Sequence, residues 1–172
     1  MLLELTKLNS LAVATFEDNG LIGRVEKTLI SKEDQKAIGF LVKLSGWLKS
    51  RKVASLEDVI SIDQAGIVLR SNESLVDQGE IVRIQQIIDS RFNLLSLPCR
   101  TKNGHYIGRV SDALIETDSG LIMRLYVKKI FSYFVFERSQ IISIKKDYII
   151  LDLERGQKKD SKVKSLASAK IA

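Results

Sequence analysis

The chain has one cysteine, one proline and one histidine among its 172 residues, and these scarcities exclude whole classes of protein. A lone Cys99 rules out an intrachain disulfide framework and any multi-cysteine metal site. One proline and ten glycines leave little sequence for long disordered tracts. No apolar run approaches the roughly 20 residues that a membrane-spanning helix needs. The opening Met1 to Lys7 lacks the basic start of a signal peptide, and Glu4 and Lys7 interrupt its apolar run. A cytoplasmic protein without a transmembrane segment is the expectation.

Catalytic constellations are as scarce. His105 follows Gly104 at a turn, with no partner at ligand or general-base spacing. Cys99 follows Pro98 in a strand opening without a base motif, which suits a buried inert thiol. Glu33-Asp34 and Glu116 with Asp118 stand in turns without calcium-loop spacing. No helix pattern follows the glycines after Asn19 or Asn103, so no helix N-terminus waits for a phosphate. The expectation is a chain with no catalytic residue, cofactor or metal, and not an enzyme.

What the chain does have is a repeat. Ile22-Gly23-Arg24-Val25 recurs as Ile107-Gly108-Arg109-Val110, each after an Asn-Gly pair. Leu29-Ile30 matches Leu114-Ile115, Ile38 to Lys43 matches Met123 to Lys128, and Ile60 to Ile62 matches Ile142 to Ile144. Coincident glycines and apolar positions mean one supersecondary unit built twice. Within each unit, short alternating runs bounded by turn residues predict antiparallel strands; Ile38, Phe40, Val42 and Leu44 are expected on one face. Residues 45–52 read as a polar connection. Between the units, Ile81, Ile84, Ile88 and Phe92 fall three and four apart, which predicts a docked helix over 80–90 with Asp77 as its cap.

The net charge of +6 is uneven. Residues 155–172 hold six cations against Asp160, a surplus of +5, so the body is close to neutral. This tail has no strand periodicity and reads as disordered.

The repeated opening strand, Asn-Gly turn, Ile-Gly-Arg-Val and Leu-Ile, with the closing Arg138 to Ile144 and Ile149 to Leu151, resembles the PRC-barrel domain family. The resemblance covers about 8–71 and 95–153. It implies two tandem small antiparallel β-barrels; with the helix and tail read above, the expected fold is all-β, two such barrels joined by a short α-helix, with a disordered basic C-terminal tail. The units would be 1–71 and 95–154, flanking a linker at 72–94 and followed by the tail at 155–172. It also implies a non-catalytic adaptor that docks onto another protein or a ribonucleoprotein. Family members occur in the photosynthetic reaction-centre H subunit, in a ribosome maturation factor and in small stand-alone proteins. Two alternatives follow: a ribosome- or RNA-associated factor, and a membrane-surface or photosynthetic-complex docking protein. A homodimer fits either.

Two stretches are candidate contact sites. Ile130 to Phe136 holds Phe131, Tyr133, Phe134 and Phe136, and as a strand it is apolar on both faces. Either the helix or the first unit covers its second face, or that face is a docking surface. Trp47, Lys49, Arg51 and Lys52, with Lys158, Lys159, Lys162 and Lys164 of the tail, are the candidate contacts for nucleic acid or a membrane.

Overall fold

The computed structural model describes residues 1–17, 20–46 and 50–154. The Asp18-Asn19 turn, Trp47, Lys49 and the whole tail, with Lys158, Lys159, Lys162 and Lys164, lie outside them. The chain opens with β1 (Leu2–Glu4) and one helical turn, α1 (Leu5–Leu8). The first unit then runs β2 (Ala12–Thr15), β3 (Leu21–Ser31), β4 (Lys36–Leu44), β5 (Arg51–Ser55), β6 (Val59–Ile62), β7 (Gly66–Leu69) and β8 (Leu75–Val76). After α2 (Val82–Asp89), the second runs β9 (Pro98–Thr101), β10 (Tyr106–Glu116), β11 (Ile122–Lys129), β12 (Ser132–Glu137), β13 (Ile141–Ile144) and β14 (Ile149–Leu151).

The molecule is mostly β, but its two sheets are mixed and open, not antiparallel closed barrels. The first has the order β6-β7-β2-β3-β4-β5-β8; the second is β12-β11-β10-β9-β14-β13, with β1 added beside β10. The last strand of each unit returns to lie parallel to the first, β7 on β2 and β14 on β9. Alternation within a strand says which face is buried, never which strand lies next to it, so this crossover is invisible to periodicity. The stretch read as a connection at 45–52 ends in a strand, because Arg51 and Lys52 already pair with Lys43 and Val42.

The repeated motif has a mechanical explanation in both units. A register shift beside Gly23 recurs beside Gly108, so the strand kinks as its neighbour crosses close by. A Cβ on Gly23 would stand 2.5 Å from the Lys43 carbonyl oxygen, and one on Gly108 2.7 Å from that of Lys128. No side chain fits there. The next residue ties the incoming strand: Arg24 donates to the Ser10 carbonyl at 3.3 Å and Arg109 to the Ser96 carbonyl at 2.8 Å. Val25 and Val110 then enter the core, and their N–H groups donate to Leu11 and Leu97, both at 2.9 Å.

A further shared shift skips Ile38 in β4 and Met123 in β11. It breaks the expected alternation. Phe40 and Val42 enter the main core, whereas Ile38 packs with Leu29, Leu41, Val53 and Val76 on the opposite face of the sheet.

The division of the chain also shifts. Leu2–Glu4, expected within the first unit, pair with Leu114–Glu116 of the second. Thr6 follows, donating its N–H and hydroxyl to Asp112. A single buried cluster contains Leu3, Val13, Phe40, Ile67, Ile115, Leu125 and Ile149, so the units share one core. They also meet through backbone. Ala37 N–H donates to the Gly120 carbonyl at 2.7 Å and Ile122 N–H to the Gln35 carbonyl at 3.2 Å, about a bridge between Lys36 and Leu121. The 85 residues separating Ile22 from Ile107 also separate Lys36 from Leu121, so the junction joins equivalent turns of the two units.

Between the units, α2 lies on the outer face of the first sheet. Ile84 is buried there against Leu29 and Val53, with Ile81, Ile87 and Ile88 beside it. Phe92 leaves the stripe and enters the main core. Asp77 does not cap this helix; it pairs with Lys52 at 2.8 Å, and the cap position falls to Ile81.

Candidate functional site

The strand expected to be apolar on both faces divides at its residues. Phe136 is 5% exposed and belongs to the core; Phe134, on the same face nearer the turn, is 40% exposed with its ring 6.4 Å from that of Phe136. On the other face Tyr133 and Val135 are 69% and 54% exposed. Ile130 and Phe131 form the two-residue connection between Lys129 and Ser132 and are 76% and 96% exposed, the highest values for large apolar side chains among the described residues. Phe131, Tyr133 and Phe134 are therefore accessible, and Phe136 is not.

The first unit shows what ordinarily covers such a strand. Leu41 pairs with Val53 as Tyr126 pairs with Val135, so Val53 and Val135 are counterparts. Val53 is fully buried under α2, and β8 pairs along the free edge of β5 through Leu75 and Val76. Among the described residues, β12 pairs with β11 alone and no helix lies on its outer face. Both the edge amides and the apolar face of β12 are open. Sequence reasoning located the aromatic cluster but took Ile130 and Phe131 as part of the strand; they form its turn, for which an apolar pair between two strands was the signal.

Cations gather at the same end. Lys128 Nζ lies 5.3 Å from the centre of the Tyr133 ring, and Lys129 Nζ lies 5.8 Å from that of Tyr106. With Arg109 and Ile130 these lysines line a shallow depression of about 430 Å³ beside the hairpin tip. None of the three cations forms an ion pair among the described residues.

The other candidate cations are engaged. Arg51 grips Glu26 with two hydrogen bonds, 2.6 and 2.8 Å, which hold the Glu26 carboxyl below its usual range, and Lys52 pairs with Asp77. Asp34, in the acidic turn, is bound by Ser31 and Arg83. Among the described residues, His105 is tied through its backbone to Thr101. Burial pushes the Cys99 thiol up to about 12, so at neutral pH it carries no thiolate to attack or ligate. A maleimide at pH 7.5 is therefore expected to leave Cys99 unmodified in the folded protein and to label it within minutes in denaturant. Stoichiometric labelling under native conditions would show the site to be open.

No helix among the described residues is long and apolar enough to cross a membrane. Neither a comparison with protein-family models nor one with curated proteins finds a match.

Proposed function

We propose that the protein is a non-catalytic docking module, of the kind the PRC-barrel resemblance implies, that engages its partner through β12 and the β11–β12 turn. The observation carrying this is the contrast between counterparts: Val53 fully buried, Val135 54% exposed. Burying one such side chain is worth about 2 kcal/mol, so leaving five neighbouring apolar residues exposed forgoes stability that the first unit takes up. The buried thiol of Cys99 and the backbone-bound turn of His105 are consistent with a role in binding. The RNA-associated alternative rests on Trp47, Lys49 and tail lysines outside the described residues, and its remaining cations, Arg51 and Lys52, already hold carboxylates.

A photo-cross-linking residue at position 133 tests the reading in living cells, with position 16, a comparably exposed Phe in the first unit, as control. Cross-links to a macromolecule or lipid are expected at 133 and not at 16. Equal yields at both positions would remove the support for docking through β12. Tyr133→Ser and Val135→Thr should leave the melting temperature within about 2 °C of the parent, since surface substitutions usually cost under ~0.5 kcal/mol.

A further inference from the structure

We infer that the partner of this surface is an anionic lipid bilayer, and that Ile130 and Phe131 are the side chains that enter it. This rests on the docking reading above and names the occupant of the same surface. Three observations converge. The first is the residue choice at the turn. Ile130 has φ of 41°, the left-handed region at the first position of a two-residue hairpin loop, where glycine is ordinarily found. A β-branched side chain is among the least suited to that backbone. The chain places Asn103-Gly104 at the β9–β10 turn, so the fold does not lack the better solution. Local folding physics disfavours Ile-Phe here, and among the described residues little packing rewards it, since Ile130 is 76% and Phe131 96% exposed.

The second is shape. Among the described residues, the two most exposed large apolar side chains stand in the turn, outside the strand ladder that an edge-pairing protein would extend. A second copy adding to the β12 edge would leave them in solvent. A projecting apolar tip suits a fluid apolar phase that needs no complementary groove.

The third is charge and aromatic placement. Lys128, Lys129 and Arg109 gather at the tip, and among the described residues no carboxylate pairs with any of them. Tyr106 and Tyr133, part-exposed rings with a polar hydroxyl, sit among these lysines. An apolar tip, then tyrosines and unpaired cations behind it, matches the order of acyl chain, interface and anionic headgroup.

The test uses the full chain and sucrose-loaded vesicles, one set of phosphatidylcholine with 40% phosphatidylglycerol by design and one of phosphatidylcholine alone, in roughly 0.1 M salt, where surface charge still acts over about 10 Å. The parent should sediment with the anionic vesicles and far less with the neutral ones. Ile130→Gly with Phe131→Ser, which gives the turn its favoured residue, should fold with equal or greater stability yet lose roughly a hundredfold in partitioning. Lys128→Ser and Lys129→Ser should each lose about fivefold. Because the double variant keeps the basic tail, anionic-vesicle binding equal to the parent's would assign the contact to the tail and overturn the inference. Absence of parent binding to either vesicle would overturn it too. In that case, cross-links from position 133 to protein, or self-association in sedimentation lost with Tyr133→Ser, would leave the docking reading standing with a different occupant. Without those, both readings fall.

Discussion

Gly120→Ala is expected to destabilise the protein by about 3 kcal/mol or more, among the largest effects of any single-atom-scale change in this chain. Gly120 has φ of +74°, and a Cβ there would stand 2.2 Å from the Ala37 carbonyl oxygen and 2.8 Å from Leu56 Cδ2. Both neighbours belong to the first unit, so the substitution pushes the two units apart at the turn that joins them. The Ala37 and Ile122 hydrogen bonds across that junction would stretch together. Gly104→Ala is the control. Its φ of +81° is equally left-handed, but nothing lies within 4 Å of the added carbon. It should cost only the conformational part, roughly 1–2 kcal/mol. Urea titrations of the three proteins give the comparison. Equal losses at the two glycines would mean that the junction yields freely and contributes little to the fold.

Leu3→Ala should cost about 2–5 kcal/mol, the range for truncating a buried leucine whose cavity does not collapse. Leu3 is 4% exposed and pairs with Ile115, so the opening residues complete the second sheet and the shared core at once. Leu2→Ala, at a half-exposed neighbouring position, should change stability by under about 0.5 kcal/mol. Because one buried cluster runs through both units, the Leu3→Ala variant should still unfold in one cooperative transition. Two resolved transitions, of which only the second unit's shifts, would show that the units fold separately and that β1 is an addition to one of them.

The repeat was legible because every residue in it answers to local backbone geometry. Gly23 and Gly108 meet a carbonyl, Arg24 and Arg109 tie the preceding strand, and Val25 and Val110 face inward. Such demands recur wherever the same strand bend recurs, so they leave the same letters in the sequence. The Ile38 and Met123 bulges were not legible. A skipped residue leaves the apolar letters in place and changes only the face on which they land. The helical stripe was readable as a pattern, but its seat on the outer face of the first sheet was not, since periodicity fixes a face and not its neighbour.

For the candidate surface, the aromatic composition of Ile130 to Phe136 was plain in the sequence, and so was its surplus of apolar faces for one strand. Which face is open was decided by the partners each unit acquires. The first unit receives β8 along β5 and α2 across Leu29 and Val53, while β12 receives neither among the described residues. Phe136 goes inward for the same reason: it pairs with Leu125, whose side chain is in the core.

By itself, then, the sequence determined a β-rich chain built from one unit used twice, its bends and its main inward residues, because these follow from local sterics and alternation; its single cysteine excluded an intrachain disulfide. Tertiary structure alone decided that the closing strands return parallel to the opening ones and that β1 completes the second sheet. It also decided that one core serves both units and that Phe131 rather than Phe136 meets the solvent. These are choices of neighbour. They are set by which distant surfaces bury most apolar area together, and no local pattern records that sum.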